Sequence, residues 1–258
     1  MEKFGLFYYK DLRARKLVYE VKEWLKNKGI KAVINKTDGI DFAVIFGGDG
    51  TILHTANRIA EEKRPIPIIR VNLGTRGFLA NVEPEDVYDR LEDFLNRENC
   101  ILVERSRIMV SLKRGEESTI LGDALNEAFV DRVGVKALRF TLQEAPIFHE
   151  KNKIPLCGDG ILFSTPTGAT AYYNSAGGSA ALKKNEMGIK VICSTSDPWS
   201  KIVPLNETTR FLVAGFGKNQ ARLVIDGKMI MKPDSRDILV FRKSDKKTIF
   251  VEFGDRAL

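Results

Sequence analysis

The residues with the clearest chemical capacity are Gly47-Gly48-Asp49-Gly50-Thr51, which follow the apolar run Phe42-Ala43-Val44-Ile45-Phe46. Glycines let a turn take positive φ and leave main-chain amides open to close approach by a ligand. Downstream, Ile52, Leu53, Ala56, Ile59 and Ala60 recur at helical spacing. The turn therefore runs into a helix N-terminus, where unpaired N–H groups and the helix dipole favour phosphate. Asp49 stands out, because a carboxylate repels phosphate. It suits a proton acceptor or a contact to a metal ion; the plain alternative is an Asp capping the helix. The dinucleotide fingerprint needs a glycine where Leu53 stands, and the P-loop needs a Gly-Lys-Ser/Thr that occurs nowhere. A phosphate turn of neither kind, tipped with a carboxylate, points to another type of kinase.

Three further stretches carry polar groups in unusual places. Asn126-Glu127 lies inside an otherwise apolar run from Thr119 to Arg132 that reads as one strand. In a strand one of the two must face outward. An outward Glu at a sheet edge is ordinary, whereas an amide and carboxylate acting together can bond ribose hydroxyls or a base edge. Cys157-Gly158-Asp159-Gly160 opens a turn, a strand and then the loop Thr165-Pro166-Thr167-Gly168-Ala169-Thr170-Ala171-Tyr172-Tyr173, with hydroxyls at a helix start. Tyr172 reads either as a ring that stacks on a base or as core. The residues after it, Asn174-Ser175-Ala176-Gly177-Gly178-Ser179, lack bulk and imply close packing. Asp226-Gly227 reads as a hairpin turn.

The elements that must position these groups fall into two halves. Residues 1–98 alternate strand and helix, with strands at Phe4–Tyr9, Ala32–Ile34, Asp41–Phe46 and Ile66–Val71. Helices are expected at about Asp11–Lys28, with Leu17, Val21, Trp24 and Leu25 inward, after Gly50, and from Pro84, with Val87, Leu91, Phe94 and Leu95 inward. Short joins between such units predict an α/β domain with an open parallel sheet. Ligands of such sheets sit beyond the carboxyl ends of the strands, where Gly47–Thr51 and Asn72–Phe78 both lie. From residue 99 to about 244 the period becomes that of strands: Ile101–Lys113, Thr119–Arg132, Leu138–Phe148, Ile154–Ser164, Arg210–Ala214, Ala221–Ile225 and Asp237–Phe241. This predicts a mostly β domain of two packed sheets.

Composition narrows the classes. The 258 residues are 43% hydrophobic and 29% charged, as in a folded protein with a core. No run of 18 apolar residues predicts a membrane span, and the first residues read as a strand and not as a signal peptide. Cys100, Cys157 and Cys193 are scattered, and His54 and His149 are the only histidines. A disulfide framework, a zinc site and histidine-based nucleophilic catalysis are all disfavoured, and the expected compartment is reducing, hence cytoplasmic. The net charge of +7 is spread without a basic stripe interleaved with aromatics, so no nucleic-acid partner and no membrane partner are expected.

Taken together, these stretches resemble the ATP-NAD kinase family. Gly47-Gly48-Asp49-Gly50 matches its Gly-Gly-Asp-Gly loop, Gly77-Phe78-Leu79 its Gly-Phe-Leu element and Asn126-Glu127 its Asn-Glu pair. Gly158-Asp159-Gly160 through Thr165-Pro166-Thr167-Gly168 to Thr170-Ala171-Tyr172 is similar to its long NAD-binding segment, and Asp226-Gly227 to its late Asp-Gly. Thr75-Arg76 after Leu73-Gly74, and Ala169 after the Thr-Pro-Thr-Gly, depart from the usual pattern. The resemblance implies transfer of the γ-phosphoryl of ATP, or of polyphosphate, to the 2′-hydroxyl of the adenosine ribose of NAD. It implies Asp49 as general base, Gly47, Gly48, Gly50 and Thr51 around donor phosphates, and Mg²⁺ or another divalent cation carried on those phosphates. NAD contacts would come from Phe78, Asn126, Glu127, Asp159, Thr167, Thr170, Ala171, Tyr172, Ser175 and Asp226. It also implies a homodimer or homotetramer, and a chain end (245–258), with a strand expected at Thr248–Phe253, that rejoins the first domain. A related lipid or sugar kinase, a nucleotide-binding sensor without catalysis and an NAD-dependent oxidoreductase are the competing readings. The Asn126-Glu127 and Thr165–Tyr172 stretches disfavour the first, Asp49 the second and the absent fingerprint the third.

Overall fold

In the computed structural model the described residues are 2–9, 11–75, 77–145, 153–196, 198–206, 210–217 and 220–254. Arg76, His149 and the expected strand end and turn at 146–152 lie outside them. The chain divides into two compact units, Met1–Arg105 with Lys247–Leu258, and Ser106–Lys246.

The first unit is built from β1 (Lys3–Tyr8), α1 (Leu12–Asn27), β2 (Lys31–Ile34), β3 (Phe42–Gly47), α2 (Asp49–Ile59), β4 (Pro67–Asn72) and α3 (Val87–Asn96). The strands run in the order β2-β1-β3-β4, all parallel. Ile249 and Phe250 of the late strand β16 (Ile238–Phe253) then pair with Pro67 and Ile68, also in parallel. Strand β3 lies between two neighbours and is buried on both faces from Ala43 to Gly47, which is why its sequence does not alternate. Helix α1 starts because the Asp11 carboxylate caps the amides of Arg13 and Ala14, at 2.7 and 3.2 Å. Its buried stripe is Ala14, Val18, Val21 and Leu25. Leu17 and Trp24, expected inward, are only partly buried, because Trp24 leans on Tyr88 at 5.7 Å and is covered by the Lys28 ammonium. The register of β3 on β4 sets Gly47 beside Asn72. Gly48 with the first turn of α2, and the segment beginning Leu73-Gly74, therefore leave the sheet side by side.

The second unit is mostly β. One sheet has the order β12 (Ser200–Pro204), β11 (Glu186–Ile192), β10 (Gly160–Ser164), β7 (Glu127–Arg132), β14 (Ala221–Ile225), β15 (Lys228–Met231), all antiparallel. Against it lie the antiparallel strands β9 (Lys153–Gly158), β8 (Leu138–Ala145), β13 (Arg210–Ala214) and the first part of β16, with the hairpin of β5 (Cys100–Arg114) and β6 (Glu117–Ala124). Alternate residues of both layers form one apolar core, in which Phe163 of β10 stacks on Phe241 of β16 with ring centroids 4.0 Å apart.

Three sequence expectations change here. Thr119–Arg132 is not one strand: it breaks at Leu125-Asn126 into β6 and β7. Ile154–Ser164 breaks where the Cys157–Gly160 turn is expected, but the resulting β9 and β10 belong to different layers. Conversely, Asp237–Phe241 and Thr248–Phe253 are parts of one strand, β16. Its charged middle stays extended because its polar groups find partners: Ser244 bonds to Asp123, Lys246 pairs with Asp123 at 3.4 Å, and Lys247 with Glu104 at 2.7 Å.

Candidate active site

In the first unit, Asp49 is the first residue of α2 and not its cap; the cap is Gly48, with no side chain to offer. The carboxylate is turned instead to the neighbouring loop. Oδ2 accepts the amide of Phe78 at 2.9 Å and Oδ1 the amide of Leu79 at 3.0 Å. Such bonds to an ionised acceptor are strong and directional, so the carboxylate has a fixed orientation. The reason for the glycines also differs from the expectation of positive φ. None of Gly47, Gly48 and Gly50 is in the left-handed region, and Gly48 has φ −82° and ψ 179°. Close approach is required at Gly47, where a Cβ would lie 2.6 Å from Thr51 Cβ, whereas one on Gly48 would make an ordinary contact 3.6 Å from Gly74 Cα. Asn72 Oδ1 accepts the Gly74 amide at 3.1 Å and shapes the facing loop. Phe78 is 75% exposed, an unusual position for a large apolar ring.

In the second unit, the break between β6 and β7 is produced by Asp226. Its carboxylate accepts the amides of Leu125 at 2.7 Å, Asn126 at 2.8 Å and Glu127 at 3.1 Å, while its own amide donates to Glu127 O at 3.0 Å. Asp226 is thus more than a hairpin residue. Thr165 holds the same turn from the other side: its amide donates to Asn126 O at 2.9 Å and its hydroxyl to Leu125 O at 2.5 Å. The expectation that Asn126 or Glu127 faces outward fails, since they are 9% and 8% exposed. Yet Asn126 Oδ1 and Glu127 Oε2 are buried with no hydrogen-bond partner. Burial, helped by the nearby charge of Asp226, pushes the Glu127 carboxyl up to about 7. Gly168 packs on this turn so closely that a Cβ there would lie 2.6 Å from the Asn126 carbonyl carbon. Gly168→Ala is therefore expected to push the Thr165–Thr170 loop off Asn126, with a loss of about 1–3 kcal/mol in stability from overpacking. Chemical denaturation checks this; an unchanged midpoint would show that the loop moves freely.

The profile of the ATP-NAD kinase N-terminal domain matches residues 8–99, and that of the ATP-NAD kinase C-terminal domain matches residues 150–253. The chain belongs to the ATP-NAD kinase family. An NAD kinase of Methanosarcina mazei is 33% identical over 226 residues, which cover 85% of this chain and 72% of that protein. One of Methanothermobacter thermautotrophicus is 36% identical over 217 residues, 83% of this chain and 72% of that protein. Among solved structures, yeast NADH kinase complexed with NADH aligns with a TM-score of 0.81 at 18% identity, covering 98% of this chain and 84% of that one. An NAD kinase from Archaeoglobus fulgidus in complex with ATP aligns with a TM-score of 0.76 at 23% identity, covering 98% and 94%. At these identities the structural likeness speaks for the fold, an α/β domain followed by a mostly β domain.

The remaining residues that the sequence of this ATP-NAD kinase family member nominates for the site lie on the loop after β10 and around it. Thr167 is half-buried, Thr170 is exposed at the end of a 3-10 turn, and Ala171 caps the short helix α4 (Tyr172–Ser175). Ser175 is exposed and its hydroxyl donates to Ala171 O at 3.4 Å. The two tyrosines differ in burial. Tyr173 is core, 1% exposed, whereas Tyr172 is 37% exposed and meets Phe129 edge-on, with centroids 5.2 Å apart. The bulk-free stretch after them packs on Tyr173: a Cβ on Gly178 would lie 2.5 Å from its ring. Asp159 is held by Arg132, whose Nε lies 2.7 Å from Oδ1. Phe129 and the ion pair of Asp131 with Arg222, 2.8 Å, join this surface; sequence reasoning missed them because they read as ordinary strand residues. Tyr172→Ala should cost less than about 1 kcal/mol of stability, being a half-exposed ring, but about 1–3 kcal/mol of NAD affinity if the ring stacks on a base. Thermal melts beside binding curves test this, and equal losses of stability and affinity would return Tyr172 to a packing role.

Among the described residues no group of three or more His, Cys, Asp or Glu side chains is placed to hold a metal ion. Among the described residues no helix is long and apolar enough to cross a membrane.

Proposed function

We propose that the protein transfers the γ-phosphoryl group of ATP, or a terminal phosphoryl of polyphosphate, to the 2′-hydroxyl of the adenosine ribose of NAD, yielding NADP. The observation that carries this reading is the Asn126-Glu127 turn. Two buried acceptor oxygens without donors stand on a main chain fixed by Asp226 and Thr165. Orphaned acceptors of this kind are costly unless a ligand supplies hydroxyl or amide hydrogens, and a ribose diol does. The Tyr172 ring and the Asp159 carboxylate add an aromatic face and a further acceptor for the nucleotide.

The chemistry then falls to Asp49. Each of its oxygens accepts one main-chain amide, leaving further lone pairs for an incoming hydroxyl proton. The 2′-oxygen attacks the γ-phosphorus, the bond from that phosphorus to the bridging oxygen of the β-phosphate breaks, and the hydroxyl proton passes to Asp49. ADP leaves. The amides near Gly48–Thr51 would hold the donor phosphates, and Mg²⁺ entering with ATP would supply charge neutralisation. A cytoplasmic location fits three free thiols, and a homodimer or homotetramer is the assembly we expect, to be read by light scattering.

The deciding experiment incubates the purified protein with NAD, Mg²⁺ and ATP, then detects NADP with an NADP-specific dehydrogenase. Parallel reactions replace ATP by polyphosphate and NAD by NADH. Absence of NADP from the NAD reactions and of NADPH from the NADH reaction would overturn the reading.

A further inference from the structure

A full charge sits where the fold should tolerate none. Arg70 is in the middle of β4, between Ile69 and Val71, and its side chain is 4% exposed. Three partners surround it. Nη1 donates to Leu79 O at 2.6 Å, and Nη2 donates to Glu252 Oε2 at 2.7 Å and to Val251 O at 3.3 Å. The guanidinium also lies 4.0 Å over the Phe250 ring. Glu252 is itself oriented by Arg105 at 2.9 Å and by Asn81 at 2.9 Å. Burial pulls Arg70 down to about 10, which leaves it a cation at neutral pH.

Leu79 is the residue that gives this network a function. Its carbonyl takes Arg70, and its amide donates to Asp49. We infer that Arg70 is a positioning residue for Asp49, holding the Phe78-Leu79 main chain so that both amides meet the carboxylate. A strand needs no arginine to pair with β16, and an apolar residue would be cheaper to bury than this cation. The fork of the guanidinium lets one nitrogen hold Glu252 and Val251 while the other reaches the Leu79 carbonyl, and so ties the Leu79 loop to β16. The inference rests on the kinase reading for its effect on turnover, though not for the contact itself.

The test uses the full chain with Arg70→Met and Arg70→Lys, alone and in the Asp49→Asn background. Amide hydrogen exchange at Leu79 is read alongside kinetics and melts. Expected are Leu79 exchange at least about tenfold faster in Arg70→Met and a kcat about 10–100-fold lower, with the KM for NAD within about threefold of wild type. Arg70→Lys should recover part of both. In the Asp49→Asn background the Arg70 substitution should change residual turnover by less than about threefold, because the two act as a unit. Unchanged Leu79 exchange in a folded variant overturns the inference, as does an undiminished kcat loss without Asp49. If Arg70→Met does not fold, Arg70→Lys carries the same exchange test. A wild-type protein that makes no NADP defeats the proposed function instead, and the exchange result still decides the contact.

Discussion

Asp49→Asn is expected to lower kcat by about 10²–10⁴-fold, the scale for losing a general base, while NAD affinity stays within a few-fold. The structure sharpens the reason. Asparagine fits the space, since Gly48 and Gly50 flank the position and, among the described residues, the side chain bonds to the amides of Phe78 and Leu79. An amide has a single acceptor oxygen, so one of those two N–H groups loses its partner. A further cost of about 1–3 kcal/mol in local stability is therefore expected, visible as a lower melting temperature. Capping explains none of this, because Gly48 holds the cap position and Asp49 makes no capping bond. If Asp49 acted mainly on the cation accompanying ATP, raising Mg²⁺ would restore part of the rate. Wild-type turnover in the variant would remove Asp49 from the mechanism.

Glu127→Gln should move stability and affinity in opposite directions. The folded protein holds the Glu127 proton up to about pH 7, against an ordinary value of 4.5. Between those values the folded state binds more protons than the unfolded one, so stability falls as pH rises through the window. Below it the carboxyl is neutral in both states and no penalty arises. Above pH 7 the penalty is complete, on the order of 3 kcal/mol. Glutamine never ionises, so the variant should melt higher than wild type at pH 8 and about the same at pH 4. Its NAD affinity should be lower by about 1.5–3 kcal/mol at pH 8, where the wild-type carboxylate is a charged acceptor. Calorimetric titration and melts at the two pH values measure both effects. A variant that is no more stable at pH 8, or that binds NAD unchanged, would mean Glu127 is ordinary packing.

Much of the fold is legible because its signals are local. The uninterrupted run Phe42–Phe46 followed by Gly47-Gly48-Asp49-Gly50 marks a central parallel strand and its ligand loop, and alternation marks the β layers. What escaped was fixed from a distance. No glycine or proline stands at the break itself, Leu125-Asn126; Asp226, about a hundred residues on, makes it by taking three consecutive amides. Gly158-Asp159-Gly160 did carry a local turn signal, yet nothing local says that the strands on either side join different layers. The partners of Asp49 are main-chain amides, which no side-chain pattern encodes. Arg70 was visible as a charge inside an apolar strand, but its meaning depends on a carbonyl nine residues away and a carboxylate 182 residues away.

That long separation bears on the order of assembly. The parallel pairing of Ile249 and Phe250 with Pro67 and Ile68 gives the first unit a sheet that chain order alone cannot finish. As the polypeptide leaves the ribosome, β1 to β4 can form early, but the edge beside β4 stays open until β16 arrives. Until then Arg70 has neither Glu252 nor Phe250 beside it, and an unpaired strand edge persists through the making of the whole second unit. Such non-local closure is slow and leaves an aggregation-prone edge exposed for longer. Ribosome stalling or truncation before β16 should therefore yield a chain whose Asp49 loop is present in sequence and unformed in space.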